Sequence, residues 1–136
     1  MAEAGIGESG VLTGHNINKA EYEEVLSYLH ATGYPEEHIH LIKGWFQETL
    51  KATKADIGPI AVLRMDGDFY ESTKIVFEEL YDQVVAGGAV IIDDYGSFQG
   101  CRKATEEFFL LRHIQPHIVY VDYGIRYFIK PGVGLK

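Results

Sequence analysis

Aspartates follow two apolar runs of the sequence, in a pattern that suggests chemistry. Asp66 and Asp68 come after residues 60–65, and Asp93 and Asp94 come directly after residues 89–92. Carboxylate oxygens without thiols or paired histidines suit Mg²⁺, with Ca²⁺ or Mn²⁺ as alternatives. A lone aspartate more often begins a turn or caps a helix. Three or four that converge would repel one another without a cation, so we interpret them as a metal site.

These aspartates converge only if the two apolar runs are neighbouring strands. Residues 60–65 and 89–92 are near-continuous apolar runs, which is typical of strands that are buried on both faces. The separation of Asp66 and Asp93 fits one strand–helix–strand crossover. The carboxyl ends of both strands then lie at one edge of the sheet, where ligands bind in open α/β folds.

The rest of the chain predicts alternating helices and strands. An apolar helical stripe follows Asn18 and stops at Gly33, and it consists of Tyr22, Val25, Leu26 and Leu29. Residues 39–43 predict a short strand, followed by a loop or single turn at residues 44–46. Ser72 and Ser97 are expected to cap two further helices, and Gly87-Gly88 to end the first of these. Residues 117–121 and 125–129 predict a β-hairpin.

This order of elements predicts a single α/β domain. Residues 19–136 are expected to form a mainly parallel sheet, wrapped on both faces and ending in an antiparallel hairpin. Residues 1–18 are rich in Gly, Ser and Asn and are expected to form a flexible arm.

Composition excludes several classes of protein. Lys and Arg number 12 against 20 Asp and Glu, and the net charge of −8 argues against a nucleic-acid partner. The single cysteine excludes an internal disulfide framework. No apolar run approaches the roughly 20 residues that cross a bilayer, and the first ten residues lack the features of a signal peptide. We therefore expect a cytoplasmic protein without a membrane partner.

Four sequence blocks resemble the macrocin O-methyltransferase (TylF-type) family. They are residues 43–50 (KGWFQETL), 63–73 (LRMDGDFYEST), 87–96 (GGAVIIDDYG) and 101–104 (CRKA). Members of this family are class I methyltransferases that depend on S-adenosylmethionine and Mg²⁺ and methylate sugar hydroxyls of macrolides and related natural products. The resemblance implies a partial Rossmann-like methyltransferase fold and a small hydroxylated, sugar-bearing substrate.

The resemblance also implies roles for individual residues. Asp66, Asp93 and Asp94 match the metal-binding aspartates of the family, and Asp66 is also the candidate acceptor for the hydroxyl proton. Gly44, Trp45 and Phe46 occupy the segment that lines the adenine pocket. Tyr70 and Tyr95 lie beside the aspartates in the sequence and are candidate substrate contacts, although a packing role is as consistent with the sequence.

The resemblance covers only the carboxyl-terminal part of the family. Methyltransferases of this fold have a glycine-rich cofactor loop and two strands that do not precede Asn16 here. We therefore expect an open hydrophobic edge on the strand at residues 60–65, unless residues 39–43 pair with it. We favour a homodimer and expect little methyl transfer by this chain alone.

Two other functions fit the sequence less well. Asp66-Gly67-Asp68 after an apolar strand superficially resembles the nucleophile motif of haloacid-dehalogenase-type phosphatases, but substantial structure precedes it here. A non-catalytic metal-binding or assembly module is the remaining alternative.

Overall fold

Residues 20–132 are the part of the chain that the computed structural model describes, and they form four α-helices and four β-strands. The helices are α1 (Tyr22–Ala31), α2 (Phe46–Ile57), α3 (Tyr70–Leu80) and α4 (Gln99–Leu111). The strands are β1 (Ile60–Met65), β2 (Val84–Ile92), β3 (Val119–Tyr120) and β4 (Arg126–Ile129). The predicted α/β class is confirmed, whereas the arm predicted at residues 1–18 lies outside the described residues.

The four strands form one mixed sheet in the order β1-β2-β4-β3. Strands β1 and β2 are parallel, while β4 is antiparallel to both β2 and β3. In register, Met65 lies beside Ile92, and Ile92 lies beside Arg126. The two strands that precede the aspartates are therefore neighbours, and both end at the same edge of the sheet. The hairpin predicted at the end of the chain is confirmed with shorter strands.

One face of this sheet carries the core. Its side chains come from alternate strand positions and include Leu63, Met65, Val90, Ile92 and Phe128. Helices α3 and α4 cover them with aromatic side chains, since Phe77 stacks on Phe108 with ring centroids 4.5 Å apart. Phe109 meets Phe128 edge to face at 5.3 Å. This packing holds the carboxyl ends of β1 and β2 in place.

The opposite face of the sheet is largely uncovered among the described residues. Val62, Ala89 and Ile129 lie side by side on it, and Val62 is 61% exposed. The predicted burial of residues 60–65 on both faces, and the predicted wrapping of the sheet on both faces, are therefore wrong for residues 20–132. A near-continuous apolar run indicates only that a strand can be buried on both faces. Whether the strand is buried on both faces depends on which other elements pack against each face.

The segment before β1 differs from the prediction in two ways. Residues 39–43 form no strand, because no neighbouring strand pairs with their backbone. Leu41 and Ile42 lie beside Tyr22 and Val25 of α1 instead. The loop predicted at residues 44–46 leads directly into α2, whose first residue is Phe46 and which the sequence pattern was not expected to form. Helix α2 is as amphipathic as α1, with apolar residues at Phe46, Leu50 and Ile57, and the sequence prediction assigned no element to residues 47–57.

The helix ends also differ from the predicted caps. Helix α3 begins after Phe69, and Ser72 lies inside its first turn, where its hydroxyl accepts a hydrogen bond from the Phe69 N–H at 3.2 Å. Phe98, not Ser97, precedes α4. Gly87 and Gly88 lie within β2, because α3 already ends at Leu80. Within residues 20–132, every helix is too short or too polar to cross a membrane.

Candidate functional site

The loop after β1 brings two carboxylates to the edge of the sheet. Asp68 adopts a left-handed backbone conformation with φ of 59°, which Asp tolerates better than most residues. The Ser72 hydroxyl donates a hydrogen bond to the Gly67 carbonyl. A Cβ at position 67 would lie 2.9 Å from the Ser72 oxygen, so glycine is required for this close approach. The tight turn presents Asp66 and Asp68 side by side.

The loop after β2 brings a third carboxylate to the same edge. Asp94 is 8% exposed, and its carbonyl accepts hydrogen bonds from the N–H groups of Ser97 and Phe98 at 3.1 and 2.9 Å. Its Oδ2 accepts a hydrogen bond from the Asp68 N–H at 3.2 Å. The two loops are thus joined through the Asp94 side chain.

Asp66, Asp68 and Asp94 form a cluster in which one carboxylate oxygen from each lies within 4.8 Å of the others. Burial is the main cause that raises the pKa of Asp94 to about 6, and the charges of Asp68 and Asp66 add to it. Burial, together with the charge of Asp93, also raises the pKa of Asp66. Oxygen donors that repel one another at this spacing fit a hard divalent cation such as Mg²⁺. We call these three residues the carboxylate cluster.

Asp93 lies beside the carboxylate cluster but is ion-paired. The Arg64 guanidinium donates to Asp93 Oδ1 from Nη2 at 2.7 Å and from Nε at 3.2 Å. It also donates to Asp66 Oδ2 at 3.2 Å. Of the three predicted metal ligands, the structure therefore brings Asp66 and Asp94 together with Asp68 and places Asp93 on Arg64. The sequence feature that could have identified Asp68 as a metal ligand is its position two residues after Asp66.

Two tyrosines lie next to the carboxylate cluster in the sequence, and both bind glutamates of α4. The Tyr70 hydroxyl donates to Glu107 at 2.6 Å, and the Tyr95 hydroxyl donates to Glu106 at 3.0 Å. Burial raises the pKa of Tyr95, and its bond to Glu106 raises it further. The hydroxyl groups of these candidate substrate contacts are thus tied to α4, which leaves their rings as the surfaces that a ligand could meet.

The predicted adenine-pocket segment lies at the start of α2. Gly44 has a φ of 148°, and a Cβ there would lie 2.6 Å from a methyl carbon of Thr49. Trp45 precedes the first residue of α2 and is 62% exposed. Phe46 reaches the loop after β1, since its ring lies 3.5 Å from where a Cβ of Gly67 would be. The structure therefore brings Phe46, but not the whole segment, against the turn that carries Asp66 and Asp68.

Comparison with known proteins places this geometry in a family. The family model for Macrocin-O-methyltransferase (TylF) matches residues 12–130. The chain belongs to this family. Its relatives include enzymes named as O-methyltransferases, and the suggested membership in this family is confirmed.

Particular relatives show how much of the family the chain represents. Demethyldecarbamoylnovobiocin O-methyltransferase from Streptomyces niveus is 40% identical over 87 residues, which are 64% of this chain and 32% of that enzyme. The structure of the O-methyltransferase NovP matches with a TM-score of 0.77 and 34% identity, over 83% of this chain and 46% of NovP. CalS11, a TDP-rhamnose 3'-O-methyltransferase, shares the fold at a TM-score of 0.63 and 22% identity, over 82% of this chain and 53% of CalS11. The chain thus spans about a third of the length of the curated relatives that it matches.

Proposed function

We propose that this chain carries the metal-binding and acceptor-binding part of an O-methyltransferase that uses S-adenosylmethionine and Mg²⁺ to methylate a sugar hydroxyl. The observation that supports it is the carboxylate cluster, built from the ends of two adjacent parallel strands. Family membership favours this function over the phosphatase that Asp66-Gly67-Asp68 superficially resembles. It also favours an enzyme over a non-catalytic metal-binding module.

Asp66, Asp68 and Asp94 are the residues that would hold Mg²⁺, and Asp93 would join them if it exchanged Arg64 for the ion. A bound divalent cation lowers the pKa of a coordinated hydroxyl and so favours its attack. The side chain of Asp66 is 53% exposed, which leaves it accessible to an acceptor. We propose that it accepts the hydroxyl proton while the acceptor oxygen takes the methyl group from the sulfonium. Burial and the charge of Asp93 raise the pKa of Asp66 in the metal-free protein, whereas a cation coordinated by this carboxylate would depress its basicity.

Gly44, Trp45 and Phe46 are proposed to contact the adenine of the cofactor, and Tyr70 and Tyr95 to contact the acceptor. Phe46 supports this assignment because it lies against the turn of Asp66 and Asp68. The exposed ring of Trp45 is available to a flat ligand.

The decisive experiment measures metal and cofactor binding separately. Mn²⁺ binding is followed by electron paramagnetic resonance, and S-adenosylhomocysteine binding by calorimetry with and without Mg²⁺. We expect Asp94→Asn to weaken Mn²⁺ binding at least tenfold, because it removes one charged ligand. Asp56→Asn removes the same charge from an exposed position on α2 and should leave binding unchanged. Equal Mn²⁺ affinity of the wild type and Asp94→Asn would refute the metal site.

We also propose that these 136 residues form a homodimer and that the isolated chain transfers methyl groups poorly. Strand β1 has a free edge in the described sheet, and the face that carries Val62 and Ile129 is uncovered. Such an edge and face favour association. Light scattering at micromolar concentration should give a dimer that Val62→Asp converts to a monomer. Leu111→Asp, at a position 79% exposed on α4, is the matched control and should stay dimeric. A monomeric wild type would contradict the homodimer.

A further inference from the structure

The loop after β2 and the turn of the β-hairpin pack directly against each other. We call residues 93–98 the aspartate loop and residues 121–125 the hairpin turn. The Gly96 N–H donates a hydrogen bond to the Gly124 carbonyl at 2.8 Å. A Cβ on Gly96 would lie 1.7 Å from a carbonyl oxygen of the hairpin turn, and a Cβ on Gly124 would lie 3.0 Å from the Asp93 carbonyl oxygen. The two backbones can approach this closely only because a glycine lies on each side.

Two charged side chains hold the hairpin turn in its shape. Asp122 Oδ1 accepts hydrogen bonds from the N–H groups of Gly124 and Ile125 at 2.9 and 2.8 Å. Aspartate stabilises turns by bonds of this kind to the backbone that follows it. Arg126, the first residue of β4, donates from Nη1 to the carbonyls of Asp122 and Ile125 at 2.6 and 2.8 Å. Asp122 thus binds backbone donors of the turn, and Arg126 binds its backbone acceptors.

Arg126 also contacts the aspartate loop. Its guanidinium lies 4.2 Å from the ring centroid of Tyr120 and 5.7 Å from that of Tyr95, and a cation is attracted to the face of an aromatic ring. Tyr95 directly follows Asp94 in the aspartate loop. The hairpin therefore holds this loop both by a backbone hydrogen bond and by a side-chain contact.

The direction of the Asp94 carboxylate depends on the path of the aspartate loop. At its start, the Asp93 N–H donates to the Met65 carbonyl at 2.9 Å, and at its end the loop leads into α4. Between these ends, the bond from Gly96 to the hairpin turn supports the backbone. The Asp94 side chain reaches from this backbone to the Asp68 N–H at 3.2 Å. A shift of the loop would therefore move one member of the carboxylate cluster relative to another.

We propose that Asp122 and Arg126 are positioning residues for the metal site. They hold the hairpin turn against the aspartate loop and so fix the direction of the Asp94 carboxylate, although neither belongs to the carboxylate cluster. This inference rests on the proposed function. Loss of a residue that bonds directly to a metal ligand typically lowers metal affinity about 10–100-fold. Asp122 and Arg126 act one step further from the ion, so we expect a loss of about three- to tenfold.

The test measures Mn²⁺ affinity of the full chain by electron paramagnetic resonance. Asp122→Ala and Arg126→Gln should each weaken Mn²⁺ binding by about three- to tenfold. Asp122→Asn should keep most of the wild-type affinity, because the amide oxygen still accepts hydrogen bonds from the turn. An effect of charge alone would give the opposite pattern. Arg126→Gln would then tighten Mn²⁺ binding, and Asp122→Asn would weaken it as much as Asp122→Ala.

Lys130→Gln is the matched control. Lys130 directly follows β4, and its Nζ donates to the carbonyls of Tyr81 and Val84 at 2.9 and 2.7 Å. It also lies 4.6 Å from the Tyr81 ring centroid. Lys130→Gln removes the same charge and the same kind of contact as Arg126→Gln, but at the other end of β4. It should lower the free energy of unfolding and leave Mn²⁺ affinity unchanged.

Amide hydrogen exchange in EDTA provides a measurement without metal. The Asp68 N–H, which Asp94 binds, should exchange faster in Asp122→Ala and Arg126→Gln than in the wild type. The Val90 N–H in the middle of β2 should change less, which separates a local shift of the loop from a general loss of stability. If Arg126→Gln fails to fold by circular dichroism, the comparison of Asp122→Ala with Asp122→Asn decides.

Three results would overturn the proposal. They are wild-type Mn²⁺ affinity in Asp122→Ala, tighter Mn²⁺ binding by Arg126→Gln, and an equal loss of affinity in Lys130→Gln. A wild type that binds no Mn²⁺ would instead refute the proposed function. The exchange of the Asp68 N–H would then decide the positioning alone, and exchange at the wild-type rate in Asp122→Ala would refute it.

Discussion

Replacing Asp94 by Asn should make the metal-free protein more stable at neutral pH. Asp94 is 8% exposed, and the pKa of its carboxyl is raised from 3.8 to about 6 by burial and by neighbouring aspartates. At pH 7 the ionised carboxylate therefore costs the fold about 3 kcal/mol, since one pKa unit corresponds to ~1.4 kcal/mol. Asparagine removes the charge and keeps an oxygen for the Asp68 N–H. We expect the free energy of unfolding to rise by about 1–3 kcal/mol, because part of the gain is lost to weaker hydrogen bonding.

The same pKa fixes the pH range of the effect. The folded protein holds the Asp94 proton more tightly than the unfolded chain, so the stability that protonation provides is fully present below about pH 4. It is lost as the pH rises through about 6. The wild type should therefore lose stability over this range in EDTA, and Asp94→Asn should lose less of it. The raised pKa of Asp66 acts in the same direction and remains in the variant.

Urea denaturation followed by circular dichroism, at several pH values from 4 to 7.5 in EDTA, measures this directly. Asp56→Asn is the control for the removal of an exposed carboxylate. Adding Mg²⁺ should stabilise the wild type more than Asp94→Asn. The wild type has one more carboxylate in the cluster, and a bound cation offsets the repulsion that this carboxylate adds. If Asp94→Asn were less stable than the wild type at pH 7 in EDTA, the carboxylate would stabilise the fold and the reasoning would be refuted.

Three further changes test the packing and charges around the site. Gly96→Ala should destabilise the protein by about 1–3 kcal/mol in urea denaturation, since a Cβ there would lie 1.7 Å from the Tyr123 carbonyl oxygen; wild-type stability would show that the hairpin turn moves freely. Phe128→Ala should cost about 3–5 kcal/mol in the same assay, because Phe128 is fully buried, and a loss below about 1 kcal/mol would contradict its place in the core. Arg64→Gln should tighten Mg²⁺ binding in calorimetry, because it removes a cation that pairs with Asp93 and Asp66. Weaker binding would mean that Arg64 holds these carboxylates in position for the metal.

The elements that carried strong local signals were predictable. Residues 60–65 were predicted as a strand with the same bounds, and α1 was predicted because its apolar residues recur at helical spacing after Asn18. Helix α2 was missed although it is as amphipathic as α1, because residues 44–46 were interpreted as a loop and the apolar spacing after them was not used. The strand at residues 39–43 was predicted wrongly because alternation indicates how a segment could pair, whereas pairing requires a neighbouring strand.

The sequence by itself determined that aspartates would meet at one edge of a sheet, because two apolar strands separated by one crossover must place their carboxyl ends together. Tertiary structure decided which of them share a cluster. Asp68 has a left-handed backbone conformation, which places its side chain beside Asp66 and Asp94. Arg64 of β1 forms an ion pair with Asp93 after β2. These choices depend on side-chain directions and distances between two loops, and the pairing of Arg126 with tyrosine rings depends on the register of β2 and β4. Neither is encoded in local periodicity, which reports only the face of an element on which a residue lies.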